Sequence, residues 1–330
     1  MTMQIVKNIR TVVAAMLVAC ALTNASGQAN NTFTQYFQLP YLTNPGFAGL
    51  QQYTDIKLGS RQQWNSYDDA PKSYLAAINH PVNFKSVAPA ETGASNNKPT
   101  TYAGIGGFLI QKNMGGYKDL QAGLSYAVHV PVSSSYRLSL GLTTAYSGVK
   151  ADLDKFIVRD ENDSFYKSIV SNNGSLQYFT VDAGLLLSSD RFMAGYSVLT
   201  LSSARLGINK DVDSEDELAT RHQVMASYNH VVNADWEAIP SVIFRHDRFA
   251  GSSVALNVKA RYRSQFWGGL GVDPGNSFSG LVGFSFKNNF SFTYSYEMNV
   301  SDVQSYSASA HELMIGISVF GKAKNKLLLW

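Results

Sequence analysis

Phe278-Ser279-Gly280-Leu281-Val282-Gly283-Phe284-Ser285-Phe286 is followed, after the turn Lys287-Asn288, by Phe290-Ser291-Phe292-Thr293-Tyr294-Ser295-Tyr296-Glu297-Met298. Successive side chains of a strand point to opposite faces, so a period of two sorts residues by environment. Phe278, Val282, Phe284 and Phe286 share one face with Phe290, Phe292, Tyr294, Tyr296 and Met298. Ser279, Gly283, Ser285, Ser291, Thr293, Ser295 and Glu297 share the other. Two strands of this kind, joined by a tight turn, form a hairpin with one apolar aromatic face and one small or polar face.

The same alternation recurs outward from this hairpin. Leu138, Leu140, Leu142 and Tyr146 oppose Arg137, Ser139, Gly141, Thr143 and Ala145, and Val254, Leu256, Val258, Ala260 and Tyr262 oppose Ala255, Asn257, Lys259, Arg261 and Arg263. About 14 strands are predicted, near 54–64, 72–80, 102–112, 118–130, 135–148, 177–187, 191–200, 221–232, 236–247, 253–263, 265–273, 277–286, 289–298 and 311–320. Most have about 9–13 residues, the length a tilted strand needs to cross a bilayer, against about 5–6 in soluble sheets. Short turns at 131–134, 188–190, 233–235, 264 and 287–288 alternate with longer links at 149–176, 201–220 and 299–310. That asymmetry is the pattern of an outer-membrane barrel, with short turns on the periplasmic side and long loops outside. An even strand number leaves both termini periplasmic. The long polar link 81–101 departs from the rule and reads as a periplasmic loop. The expected fold is therefore all-β, a transmembrane antiparallel β-barrel of about 14 strands with a short N-terminal periplasmic segment.

Composition agrees. Aromatic residues make up 12% and charged residues 15%, the latter against about 25% in an ordinary soluble domain. Lys7 and Arg10 lie before an apolar run at 11–22, and Ala25-Ser26-Gly27 puts small residues at the −3 and −1 positions of a cleavage site. This reads as a signal peptide, since the run is too short to span a membrane. The expected divisions are a signal peptide at 1–27, a periplasmic segment at 28–53, a barrel at 54–320 and a C-terminal tail at 321–330. Leu17-Val18-Ala19-Cys20 also matches a lipobox, so Cys20 is either lipidated or removed with the signal peptide. Cys20 is the chain's one cysteine, which excludes disulfides and cysteine metal sites within the mature chain. With Lys7 and Arg10 gone the charge is close to neutral, which gives no reason to expect nucleic acid as a partner.

Candidate chemistry is sparse. His80, His129, His222, His230, His246 and His311 show no metal-ligand spacing. There is no nucleophile elbow and no phosphate-binding loop, and Gly104-Ile105-Gly106-Gly107 reads as close barrel packing. The acidic run 211–217 lacks the spacing of a calcium loop. No enzyme activity, cofactor or metal is expected. By parity Arg137, Asp182, Lys259, Arg261, Arg263, Glu297 and Glu312 line the lumen, either as ion pairs that fill it, as a docking surface inside the barrel, or as the wall of a passive, anion-leaning solute pore.

Thr34-Gln35-Tyr36-Phe37 and Asn44-Pro45-Gly46-Phe47-Ala48-Gly49, with Phe33 before them, resemble the opening of the PorP/SprF family of type IX secretion outer-membrane proteins. Gly46 and Phe47 stand where the family usually has Ala and Tyr. Ser60-Arg61-Gln62-Gln63-Trp64 followed by Pro71-Lys72-Ser73-Tyr74, Gly104 to Gly107 with Gly115-Gly116, and Ala310-His311-Glu312-Leu313 are similar to later elements of the family. The resemblance implies a non-enzymatic component of the secretion and gliding machinery that assists export or surface attachment of cargo. Its implied partners are a secreted cargo protein and other type IX components, besides the lipid bilayer. Read from the residues alone, Asn44-Pro45-Gly46 is a turn, Trp64 belongs to an aromatic girdle, and Arg61 pairs with Glu312 across the closure seam. In the loop 149–176, Phe156, Ile157, Phe165 and Tyr166 among charges suit protein recognition. That loop and the N-terminal segment are the expected partner surfaces, and a loop folded back as a plug is the alternative.

Overall fold

The computed structural model describes residues 33–51, 53–64, 69–82, 100–155, 167, 170, 173–206, 218–287, 289–300 and 309–319. The alternating segments all become strands. They are β1 (Thr54–Gln63), β2 (Lys72–Val82), β3 (Tyr102–Met114), β4 (Tyr117–Pro131), β5 (Arg137–Ala151), β6 (Ser175–Ser188) and β7 (Phe192–Leu206). Then follow β8 (Arg221–Tyr228, resumed at His230–Val231), β9 (Trp236–Asp247), β10 (Gly251–Tyr262), β11 (Phe266–Asp273), β12 (Ser277–Phe286), β13 (Phe290–Asn299) and β14 (Ser309–Val319). The two pieces of β8 flank Asn229 and pair with the same neighbour, β9. Each strand runs antiparallel to the next, and β14 pairs with β1 from Thr54↔Val319 to Gln63↔Ala310. The sheet is a closed 14-stranded barrel, and closure leaves no unpaired edge. No helix among the described residues is long and apolar enough to cross a membrane; the strands do the crossing.

The parity read from the sequence is the parity of the wall. Leu124, Leu140, Leu142, Leu270, Val282 and Phe284 stand exposed on the outer face, where hydrocarbon covers them. Ser125, Ser139, Thr143, Thr293 and Ser295 point inward and are buried. The strand ends before Thr54 and after Val319 lie together with the short turns 132–136, 189–191, 232–235, 263–265 and 287–289, the periplasmic rim by the loop-length argument.

The largest irregularity is between β6 and β7, where the register shifts between Val181 and Ala183. Thr200 takes a left-handed φ of 54° there, and its N–H donates to Asp182 Oδ1 at 2.7 Å. Such a bulge twists the strand locally, and β7 then continues to Leu206, past the expected end at 200. The links 83–99 and 207–217, with the acidic run 211–217, and the signal-peptide region lie outside the described residues.

The N-terminal segment departs from its sequence expectation. The segment read as periplasmic is inside the barrel over its described part, 33–51. It forms three short helical turns, Tyr36–Gln38, Pro40–Thr43 and Pro45–Phe47. Phe33, Phe37, Leu39, Tyr41, Phe47 and Leu50 form one buried core with inward residues of the wall, among them Leu75, Ile110, Leu186, Met225, Ile243, Leu281 and Met314. The physical reason is apolar area. Burying an aliphatic or aromatic side chain contributes about 1.5–3 kcal/mol, and an aqueous periplasm offers these side chains no such burial.

Candidate functional site

The plug is fixed first at the seam. Arg61 on β1 faces Glu312 on β14 in register, with Nη1 3.3 Å from Glu312 Oε2 and Nη2 3.1 Å from Glu297 Oε1. The Glu312 carboxylate also accepts the backbone N–H groups of Thr34, at 2.8 Å, and Gln35, at 3.0 Å. Arg61 further contacts the Thr34 hydroxyl, which donates to Glu297. Gln35 Nε2 donates to Ser295 Oγ and to the Glu312 carbonyl. One cation therefore holds two carboxylates, and backbone donors from the plug satisfy much of the remaining acceptor capacity. A buried charge is tolerated only when paired and hydrogen-bonded, so the plug completes the cluster that closes the barrel.

Asn44-Pro45-Gly46 is threaded through a gap in the wall's side chains. Asn44 Nδ2 donates to the carbonyls of Leu185 on β6, at 3.0 Å, and Tyr196 on β7, at 3.2 Å, while Oδ1 accepts from Gly46 N at 2.8 Å. A Cβ on Gly184 would lie 2.1 Å from Asn44 Oδ1, and one on Gly141 would lie 2.3 Å from the Pro45 carbonyl carbon. Gly49 has φ +67°, and a Cβ there would stand 2.2 Å from Gly104 Cα. These wall glycines are therefore the clearance for the plug, which specifies the close packing read at Gly104. A Cβ at Gly46 would come within 3.1 Å of Asn44 Oδ1, a tight fit.

Other strands grip the remaining backbone. His129 on β4 contacts the Ala48 carbonyl through Nε2 at 2.8 Å and Ser139 Oγ through Nδ1 at 2.7 Å. A carbonyl can only accept, so Nε2 carries the proton and Nδ1 accepts from the serine. Gly49 N donates to Asn79, Tyr102 OH to the Leu50 carbonyl, Tyr41 OH to the Gly107 carbonyl and Ser197 Oγ to the Thr43 carbonyl. Tyr36 lies under the Arg245 guanidinium, 5.2 Å from the ring centroid, and accepts from Asn257 Nδ2. Burial pushes its phenol up to about 12. Phe37 lies under Lys259 Nζ at 5.4 Å. Lys259 is 7% exposed. A desolvated cation–π contact contributes about 2 kcal/mol, less than the several kcal/mol of desolvating an ammonium.

The sequence-derived residues thus separate into groups. Gln35, Arg61, Glu297 and Glu312 meet at the seam. Tyr36, Asn44, Pro45 and Gly49 belong to the plug. Gln63 is buried at the end of β1, and Trp64 follows it with a left-handed φ of 58°, its N–H donating to the Ser309 carbonyl. His311 turns away from Glu312, as neighbours on a strand do, and accepts from or donates to Tyr294 OH at 2.7 Å. Arg261 pairs with Glu237, Arg137 lies 5.1 Å over the Tyr102 ring, and Asp182 caps the bulge. Arg263 is corrected: it lies past the end of β10 in an exposed turn, paired with Asp235 at 2.9 Å, because β10 ends at Tyr262. Phe156, Ile157, Phe165 and Tyr166 lie outside the described residues. The N-terminal segment, expected to be a partner surface, is enclosed between strands from β1 to β14 over its described part.

Sequence reading missed Asn79, His129, Arg245 and the clearance glycines as plug contacts. A signal was present. Leu75, Ile110, Leu186, Ile243 and Met314 fall on the inward parity, and apolar residues on a lumen face call for something apolar to cover them. Among the described residues no cluster of three or more potential metal ligands occurs.

A family model described as the type IX secretion system membrane protein PorP/SprF matches residues 25–317. No curated protein matches the chain. Among solved structures, the CymD monoaromatic hydrocarbon channel is similar with a TM-score of 0.51 and 10% identity, over 90% of this chain and 95% of that one. Outer membrane protein Omp33 of Acinetobacter baumannii gives 0.44 and 8%, over 82% and 100%. The Pseudomonas putida toluene transporter TodX gives 0.45 and 7%, over 91% and 96%. The likeness to CymD, at 10% identity, is one of fold.

Proposed function

The chain belongs to the PorP/SprF family of type IX secretion system membrane proteins, an outer-membrane barrel by fold, and from that premise we propose that it works as a non-enzymatic, plugged barrel. In this reading it assists the export or surface attachment of particular cargo proteins and contacts other components of the machinery. The observation that carries the reading is the lumen: residues 33–51 pack a buried apolar core across it, and a cavity of about 620 Å³ lined by Tyr36, Leu42, Lys112, Asp119 and Arg221 remains beside the plug. A passive solute pore, the other reading of the sequence, needs water where Phe37, Leu39 and Phe47 now pack. The seam cluster supports a permanent plug, since the Glu297 and Glu312 carboxylates would otherwise be left short of donors. Recognition then falls to the outer loops, because charge on the lipid face costs about 2–4 kcal/mol at midplane and leaves that face little with which to encode a partner. Deleting the gene tests the role. Loss of specific proteins from the cell surface, restored by the intact gene, is the expected result; an unchanged surface proteome would contradict it.

A further inference from the structure

We propose that the outer half of the lumen is a binding site for a short peptide with apolar side chains and both ends free, its carboxylate held by Lys112 and Arg221 and its ammonium by Asp182. These three side chains line one cavity of about 620 Å³, which the plug bounds at Tyr36, Leu39 and Leu42. The cavity lies toward the long outer loops, since Lys112 is near the outer end of β3 and Arg221 is the first residue of β8. Small-ligand sites are typically clefts of about 300–1,000 Å³ with apolar walls and a few placed polar groups. Phe108, Ile110, Leu199 and Phe249 supply such walls here.

The ligand's chemistry follows from the groups left unengaged. Lys112 stands opposite Asp119 in register, but the Asp119 carboxylate accepts Gln121 Nε2 at 2.7 Å and Ser147 Oγ at 3.0 Å instead. Lys112 makes no ion pair or hydrogen bond among the described residues. Arg221 gives Nε to Asp247 at 3.1 Å, and its two Nη groups have no acceptor among the described residues. The two cations come from strands five apart in the wall and lie within electrostatic reach of each other. An anionic oxygen between them would accept charge-assisted hydrogen bonds from both. A plain anion is not enough, because the two cations share the cavity with three carboxylates, Asp119, Asp182 and Asp247, and the lining is net negative. Asp182 uses Oδ1 for the Thr200 N–H and has no donor to Oδ2 among the described residues, which offers a seat for an ammonium. Asp182 is on β6 and Arg221 on β8, two strand spacings or about 10 Å apart. Leu199, next to Thr200, faces Arg221 in register, so the two charges lie at a similar height. An extended chain covers about 3.3–3.6 Å per residue, and a tripeptide spans that gap. Its apolar side chains then gain burial against the walls. The inference goes beyond the secretion role and stands whether or not that role holds.

Calorimetric titration of the full mature protein in detergent with trileucine tests it, and one saturable site is expected. Amidating the peptide's carboxyl end should weaken binding about tenfold, and acetylating its amino end should weaken it several-fold. Triserine, which has the same charged ends and no apolar side chains, should bind about tenfold more weakly than trileucine. Lys112→Met keeps the side chain's bulk and breaks no ion pair among the described residues. It should weaken binding of free trileucine about tenfold and leave binding of the amidated peptide unchanged. The comparison of free and amidated peptide on the unaltered protein decides the matter if Lys112→Met fails to fold. Absence of saturable binding in the unaltered protein, equal binding of free and amidated trileucine, equal binding of triserine, or unchanged affinity in Lys112→Met would overturn the proposal.

Discussion

Arg61 and Glu312 face each other in register across the seam between the first and last strands, and the same Glu312 carboxylate receives the backbone of the plug at Thr34 and Gln35. Barrel closure and plug docking therefore depend on one buried ion cluster. Removing one partner leaves the other charged and uncompensated, at a cost of about 3–5 kcal/mol. Arg61→Ala should lower resistance to urea unfolding in detergent by that order. Arg61→Met combined with Glu312→Gln should cost less than the two single changes added together. Strict additivity would show that the pair does not couple.

The plug depends on missing side chains in the wall. In Gly184→Val the first added carbon already stands 2.1 Å from Asn44 Oδ1, while the strand itself can accept a β-branched residue. The barrel should still insert and show heat-modifiable migration on gels, and protease should cut the released segment within 33–51. Full protection of that segment in the variant would refute the seating of Asn44 against the inner face of β6 and β7.

Much of this was legible in the sequence. The period of two located every strand, and β4, expected at 118–130, runs from Tyr117 to Pro131. Parity placed Glu312 on an inward face, and closure made it a neighbour of Arg61. The plug was not legible as a plug, because residues 33–51 have no strand or long-helix period, and an apolar stretch of that kind has no address of its own. Its address lies in the complementary wall: Gly141 and Gly184 where it passes, Leu186 and Ile243 where it packs. Arg263 was misplaced for a local reason, since alternation ran one residue beyond the last ladder pair, Tyr262↔Phe266.

Alkaline pH should loosen the plug. Burial raises the Tyr36 phenol from 10.0 to about 12 in the folded protein. The neutral phenol is favoured in the fold, so its contribution is whole below pH 10, where the unfolded chain begins to ionise. It falls as pH rises from about 10 to about 12. Urea midpoints of the intact protein and of Tyr36→Phe should converge across that window. Parallel curves would show that Tyr36 is not enclosed.

The outer loop carries the recognition claim. Replacing residues 156–169 by a Gly/Ser linker removes Phe156, Ile157, Phe165 and Tyr166, apolar anchors rimmed by charges. Insertion into the outer membrane should be retained and surface display of cargo reduced. Unchanged display together with new conductance would make the loop a second plug instead of a docking surface.

Single-channel recording in planar bilayers tests the central claim, that the N-terminal segment seals the barrel, most directly. The mature protein should pass no steady current, and a variant with residues 33–51 replaced by a Gly/Ser linker should conduct steadily while keeping its heat-modifiable fold. A steady anion-selective current through the unaltered protein would contradict the account and restore the solute pore.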